Sequence, residues 1–103
     1  MLTNRLTAFA LLASVLFAAP AHALTVINGK VTATYADPGD FVIEMDTPGN
    51  CGSKFFHVQR TRVNFKEMVA LGLVAVNGAK RMSMFVESCA GDRNILSHGA
   101  VFP

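Results

Sequence analysis

Residues 64–78 read NFKEMVALGLVAVNG. This is the stretch of the chain in which apolar residues recur at helical rather than alternating spacing. Phe65, Met68, Val69, Leu73 and Val76 fall on one face of a 3.6-residue period. Asn64 with Glu67 three residues on is a capping pair at the start, and Asn77-Gly78 is a helix stop at the end. The pattern predicts one helix.

Outward from the helix, the period drops to two on both sides. Downstream, residues 80–89 alternate with Met82, Met84 and Val86 on one face, Gly91-Asp92-Arg93-Asn94 turns the chain, and residues 95–102 make a last strand. Upstream, residues 54–59 form a strand with Phe56 and Val58 on a shared face, after a turn at 47–50 and a strand at 41–45. Asp37-Pro38-Gly39-Asp40 is a turn, and residues 30–35 are a strand. Asn28-Gly29 is a hairpin signal that would set the short run 25–27 apart as a separate piece.

The expected fold is therefore mainly β with one α-helix, in the order β-β-β-α-β-β. An OB-fold-like five-stranded antiparallel barrel has this arrangement, and closing the sheet removes exposed edges. The alternative is an open α+β sheet with its helix on one face.

The helix carries a second apolar set, Ala70, Leu71, Val74 and Ala75, roughly opposite the first. Its only charged residues, Lys66 and Glu67, sit in the first turn. A helix apolar on both faces needs cover on both, and a domain this small has little chain to supply it. Either a second subunit covers that set, giving a homo-oligomer, or a loop of the same chain does.

Arg5 makes the start of the chain basic, an uncharged run LTAFALLASVLFAAP covers residues 6–20, and Ala21-His22-Ala23 follows. A basic start, an apolar stretch and a small-x-small site are what signal peptidase reads. The run is short of the roughly 20 residues that cross a bilayer. Residues 1–23 are expected to be a cleaved signal peptide and residues 24–103 a single domain, with no membrane span after cleavage. No Cys follows Ala23, so no lipid is expected there. The protein would be exported, to the periplasm or beyond. In that oxidising setting Cys51 and Cys89 are expected to form a disulfide.

A cysteine ahead of a helix, the helix end Val74-Ala75-Val76-Asn77-Gly78-Ala79-Lys80-Arg81, an alternating strand and a closing cysteine form a recognisable pattern. It resembles the small OB-fold B subunits of AB5 toxins, in the pertussis-like and subtilase-cytotoxin-like branches. The resemblance spans residues 51–89 and is one of pattern, without a signature motif. It implies a ring of five subunits with helices lining the pore, and recognition of cell-surface glycans. The chain departs from those subunits in being shorter, in having one expected disulfide, and in lacking Trp; its only Tyr is Tyr35.

No catalytic constellation stands out. Ser53, Ser83, Ser88 and Ser97 lie in no Gly-x-Ser-x-Gly elbow, and Ser97-His98 would point to opposite faces of a strand. His57 and His98 have no helical spacing to each other, and Met82-x-Met84 reads as core. Without Arg5, eight Lys and Arg face seven Asp and Glu, a balance that argues against nucleic acid. No cofactor or metal site is expected. The best candidates for ligand contact are Tyr35 and Asp37 with Asn50, Ser53 and Lys54, because a sugar needs an aromatic face and hydrogen-bonding groups around it. The expected function is an exported non-catalytic binding module, ring-forming and glycan-binding or serving a partner protein. The alternative is a stand-alone monomeric protein with a structural or inhibitory role.

Overall fold

In the computed structural model, residues 24–103 are described; the expected signal peptide, residues 1–23, lies outside them. Strand β1 (Thr25–Ala36) runs unbroken through Asn28-Gly29. The hairpin expected there does not form. Asn28 and Gly29 are instead laddered to Ser83 and Met82, and Gly29 is buried with Asp46 and Thr47 where a Cβ would stand. The glycine serves close approach, not a turn. It sits just before β1 changes partner, a change marked by an irregularity between Val31 and Ala33.

The other elements are β2 (Asp40–Met45), β3 (Phe55–Gln59), α1 (Phe65–Asn77), β4 (Arg81–Ala90) and β5 (Arg93–Phe102). The described residues are mainly β, with five strands and one helix between the third and fourth. The first half of β1 pairs with β4 and the second half with β2, so the sheet closes on itself in the order β1-β2-β3-β5-β4. Four pairings are antiparallel; β3 and β5 run parallel at Phe56–Asn94 and His57–Ile95. The expected all-antiparallel barrel is corrected here for a topological reason. Five strands in a closed ring cannot alternate direction throughout, so one neighbouring pair must run the same way.

Inward-facing Phe41, Ile43, Met45, Phe56, Val58, Met82, Met84, Val86 and Leu96 fill the interior. Met82 and Met84 are packed there with no exposure. Helix α1 lays Met68, Gly72 and Ala75 against this core. A Cβ on Gly72 would lie 3.0 Å from Ile43 Cδ1 and 3.3 Å from Phe41 Cε2, so the helix axis comes nearest the barrel at that residue. That contact rotates the helix away from the orientation its larger residues suggest. Leu71 packs inward, whereas Leu73, expected in the core, is half exposed.

The expected cap at Asn64 is absent: its side chain makes no capping bond, and Nδ2 donates to the Ser97 carbonyl at 3.1 Å. At the other end Gly78 N–H donates to Val74 O at 3.1 Å, and the left-handed residue is Ala79. Cys51, in the loop before β3, is bonded to Cys89 near the end of β4. Among the described residues no helix is long and apolar enough to cross a membrane.

Candidate functional site

Because Phe41, Ile43 and Met45 point inward, Asp40, Val42 and Glu44 fall on the outer face of β2. On β3 the same alternation sends Phe56 and Val58 in and leaves Phe55 and His57 outside. The register places Val42 beside both Tyr35 and His57, and Glu44 beside Phe55. Outward residues of three strands thus meet in one patch. They line a cavity of about 340 Å³ formed by Tyr35, Asp37, Val42, Phe55 and His57.

The floor and the walls of this cavity differ in kind. Val42 and His57 are 3% and 7% exposed although they lie outside the barrel. Tyr35 and Phe55 rise beside them, 45% and 41% exposed. Their rings meet edge to face, 6.1 Å between centroids. The Tyr35 hydroxyl donates to Glu44 Oε1 at 2.7 Å, which holds the ring in place. That bond, with lesser desolvation and charge effects, pushes the phenol above its ordinary range.

Beneath the aromatic walls lies a polar cluster drawn from β2, β3 and β5. Asp40, 6% exposed, accepts through Oδ2 from His57 Nδ1 at 2.9 Å and from Arg93 Nη2 at 2.7 Å. The carboxylate can only accept, which assigns a proton to Nδ1, although the donor Arg93 Nη2 also lies 3.2 Å from that nitrogen. The adjoining turn is also tied down. Arg60 donates twice to the Asp37 carbonyl, and Asp37 N–H donates to Asp40 O at 2.9 Å.

Of the residues expected to contact a ligand, Tyr35 and Asp37 come together here. Asn50, Ser53 and Lys54 belong to the loop between β2 and β3 and do not line the cavity. Ser53 is engaged structurally, since its carbonyl accepts from Asn94 Nδ2 at 2.9 Å. Nothing local in the sequence marks Phe55, Val42, His57, Asp40 and Arg93 as ligand contacts. The alternation of Phe56 and Val58 already implied that Phe55 and His57 face outward together.

The residues expected to form an oligomer interface are divided. Ala70 and Val74 are exposed, Leu71 is packed against the core, and Ala75 is fully buried. The last two are corrected to intrachain packing by the close approach at Gly72. The exposed apolar surface of α1 is Ala70, Leu73 and Val74.

Elsewhere, an irregularity in the β4–β5 pairing brings Ser97 Oγ within 3.0 Å of His98 Nδ1. The expected separation of those two side chains does not hold. His98 is exposed and stacked on Phe85, 4.1 Å between centroids. Among the described residues no carboxylate pairs with it. A second cleft of about 430 Å³ lies among Asn28, Arg81, Met82, Ser83 and Phe102.

No protein-family model matches this chain, and no curated protein matches it at a significant level.

Proposed function

We propose that this chain is an exported, non-catalytic binding module of the OB-fold type, periplasmic or secreted, whose ligand is a glycan. The observation that carries the reading is the groove of Tyr35 and Phe55 over Val42 and His57. It lies on the outer face of β2 and β3, beside the β1–β2 turn, the face that OB-type barrels use for oligonucleotides and oligosaccharides. Two ring faces suit the apolar side of a sugar, while Asp37, His57 and Arg93 supply groups for its hydroxyls. Near-balanced charge favours the saccharide over nucleic acid. The test is an array of neutral and acidic oligosaccharides probed with the purified protein. Binding is expected, and Tyr35→Ala with Phe55→Ala should weaken it at least about a hundredfold, each buried ring being worth roughly 1.5–3 kcal/mol. Undiminished binding by that double variant would remove the groove from the account.

In this reading the module assembles into a homo-oligomeric ring, a pentamer as in the toxin B subunits it resembles. Support comes from Leu73 and Val74, 49% and 53% exposed side by side on α1, with Val63 fully exposed at the preceding turn. Leu73→Glu with Val74→Lys should leave the fold intact and reduce the solution mass from about five subunits to one. A wild-type protein that sediments as a monomer contradicts the ring. The specific observation favouring a stand-alone monomer is that Leu71 and Ala75 are already covered by their own barrel.

A further inference from the structure

We propose that His57 Nε2 is the acceptor for a ligand hydroxyl, that Asp40 and Arg93 set it in that state, and that the groove takes a neutral sugar ring in preference to an acidic one. This rests on the glycan reading above and names the ligand class of the same site.

The imidazole has two nitrogens, and the protein uses one. Nδ1 donates to Asp40 Oδ2 at 2.9 Å, with Arg93 Nη2 3.2 Å away and itself bound to the same oxygen. Among the described residues Nε2 has no hydrogen-bond partner. It is not sealed in either: among the described residues the one fully buried side-chain nitrogen or oxygen without a partner is Arg62 Nε. The ring lines the cavity, and with Nδ1 turned to Asp40, Nε2 is the ring nitrogen left to face it. With the proton held on Nδ1, Nε2 presents a lone pair and needs a donor. A sugar hydroxyl lying over Val42 between Tyr35 and Phe55 is such a donor.

Asp40 and His57 are buried on the outer surface of the sheet, away from the apolar interior. Burying a carboxylate with an imidazole is seldom a cheaper way to pack than burying apolar side chains. Its effect here is to fix a ring orientation and a tautomer. Asp40 is a positioning residue in this scheme, acting through His57.

Charge selects the ligand class. Asp37, Asp40 and Glu44 bring three carboxylates to the groove and its floor. Against them stand two guanidiniums, Arg93 paired with Asp40 and Arg60 on the neutral Asp37 carbonyl, so one carboxylate charge is left in excess. A ligand carboxylate would enter a surplus of negative charge, whereas a neutral ring would not.

The test takes the purified, disulfide-bonded protein and the array described above, followed by titration of ¹⁵N-histidine-labelled protein with the best neutral glycan and with its uronic acid counterpart. The free protein should show a protonated Nδ1 and an unprotonated Nε2 at His57. The neutral glycan should shift the Nε2 resonance, and the uronic acid form should bind at least about tenfold more weakly. His57→Phe, which keeps the ring and removes the acceptor, should cost about tenfold on the neutral glycan, the worth of one hydrogen bond. Asp40→Asn can donate to Nδ1 and should move the proton to Nε2, weakening binding with a visible change of tautomer. Equal or tighter binding of the acidic form, or neutral binding that leaves Nε2 unmoved, overturns the proposal while the glycan reading stands. If no glycan disturbs the Tyr35 and Phe55 rings, the glycan reading itself fails and takes this one with it.

Discussion

Replacing Cys51 and Cys89 together by alanine should lower the unfolding free energy by about 4 kcal/mol, the largest single loss expected in this protein. The bond joins residues 38 apart in sequence. In the chain-entropy model, closing a loop of that length removes about 4 kcal/mol of freedom from the unfolded chain. The loop holds β3, α1 and β4 as far as Cys89. It therefore ties β3, α1 and β4 into one unit. A small domain has a thin margin, so the alanine variant should be largely unfolded at 37 °C. Denaturant unfolding of the oxidised, reduced and double-alanine forms measures the effect. A loss under about 1 kcal/mol would mean that the loop is held by other contacts alone.

Asn94→Ala should cost about 3 kcal/mol and loosen the same region by a different route. Asn94 has no exposure, and its amide serves three backbone groups in the loop ahead of β3 and at its first residue. Oδ1 accepts from Cys51 N–H at 3.0 Å, while Nδ2 donates to the carbonyls of Ser53 at 2.9 Å and Phe55 at 2.8 Å. Alanine leaves these groups without partners in a buried place, at about 1–3 kcal/mol for each that water cannot reach. The side chain lies against Gly49, where an added Cβ would collide with it. Asn94→Asp keeps the acceptor but loses the donor and buries a charge, so it should be no milder. Hydrogen exchange at the Cys51 amide should accelerate in both variants. Because the disulfide and Asn94 brace one loop, combining the changes should cost less than the separate losses added together. Full additivity would show that the two braces act independently.

Much of the architecture was legible in local pattern. Met82, Met84 and Val86, and likewise Phe56 and Val58, alternate as residues of half-buried strands must, and all five are buried. The run from Phe65 to Asn77 announced its helix by period. Three things were not legible, each because it depends on partners far away in the chain. Asn28-Gly29 carries a hairpin signal, yet pairing with Ser83 and Met82 and crowding by Asp46 and Thr47 keep it extended. The helix face is not legible at Leu73 and Ala75, because the closest contact forms at Gly72, which has no side chain to mark it. The parallel β3–β5 pairing follows from closure, which no single strand encodes.

The site was half legible. Tyr35 stood out as the only tyrosine, and Asp37 as part of a turn. Phe55 and His57 were visible as the outward members of β3, but their joining to Tyr35 required the register of β2 between them. The Asp40–His57–Arg93 cluster depends on β5 returning beside β3, a contact between residues 36 and 53 apart in sequence. Loop residues Asn50 and Ser53 looked like ligand contacts because turns rich in small polar side chains suit both roles. In this fold Ser53 is spent on Asn94.

The claim that this module binds a glycan in the groove of β2 and β3 is tested most directly by mapping. Isotope-labelled protein is titrated with the glycan that binds best on the array, and backbone and aromatic resonances are followed. The account predicts shifts concentrated at Tyr35, Asp37, Val42, Phe55 and His57. Shifts centred instead on the cleft of Asn28, Arg81, Ser83 and Phe102, or the absence of any glycan that moves the Tyr35 and Phe55 rings, would contradict it.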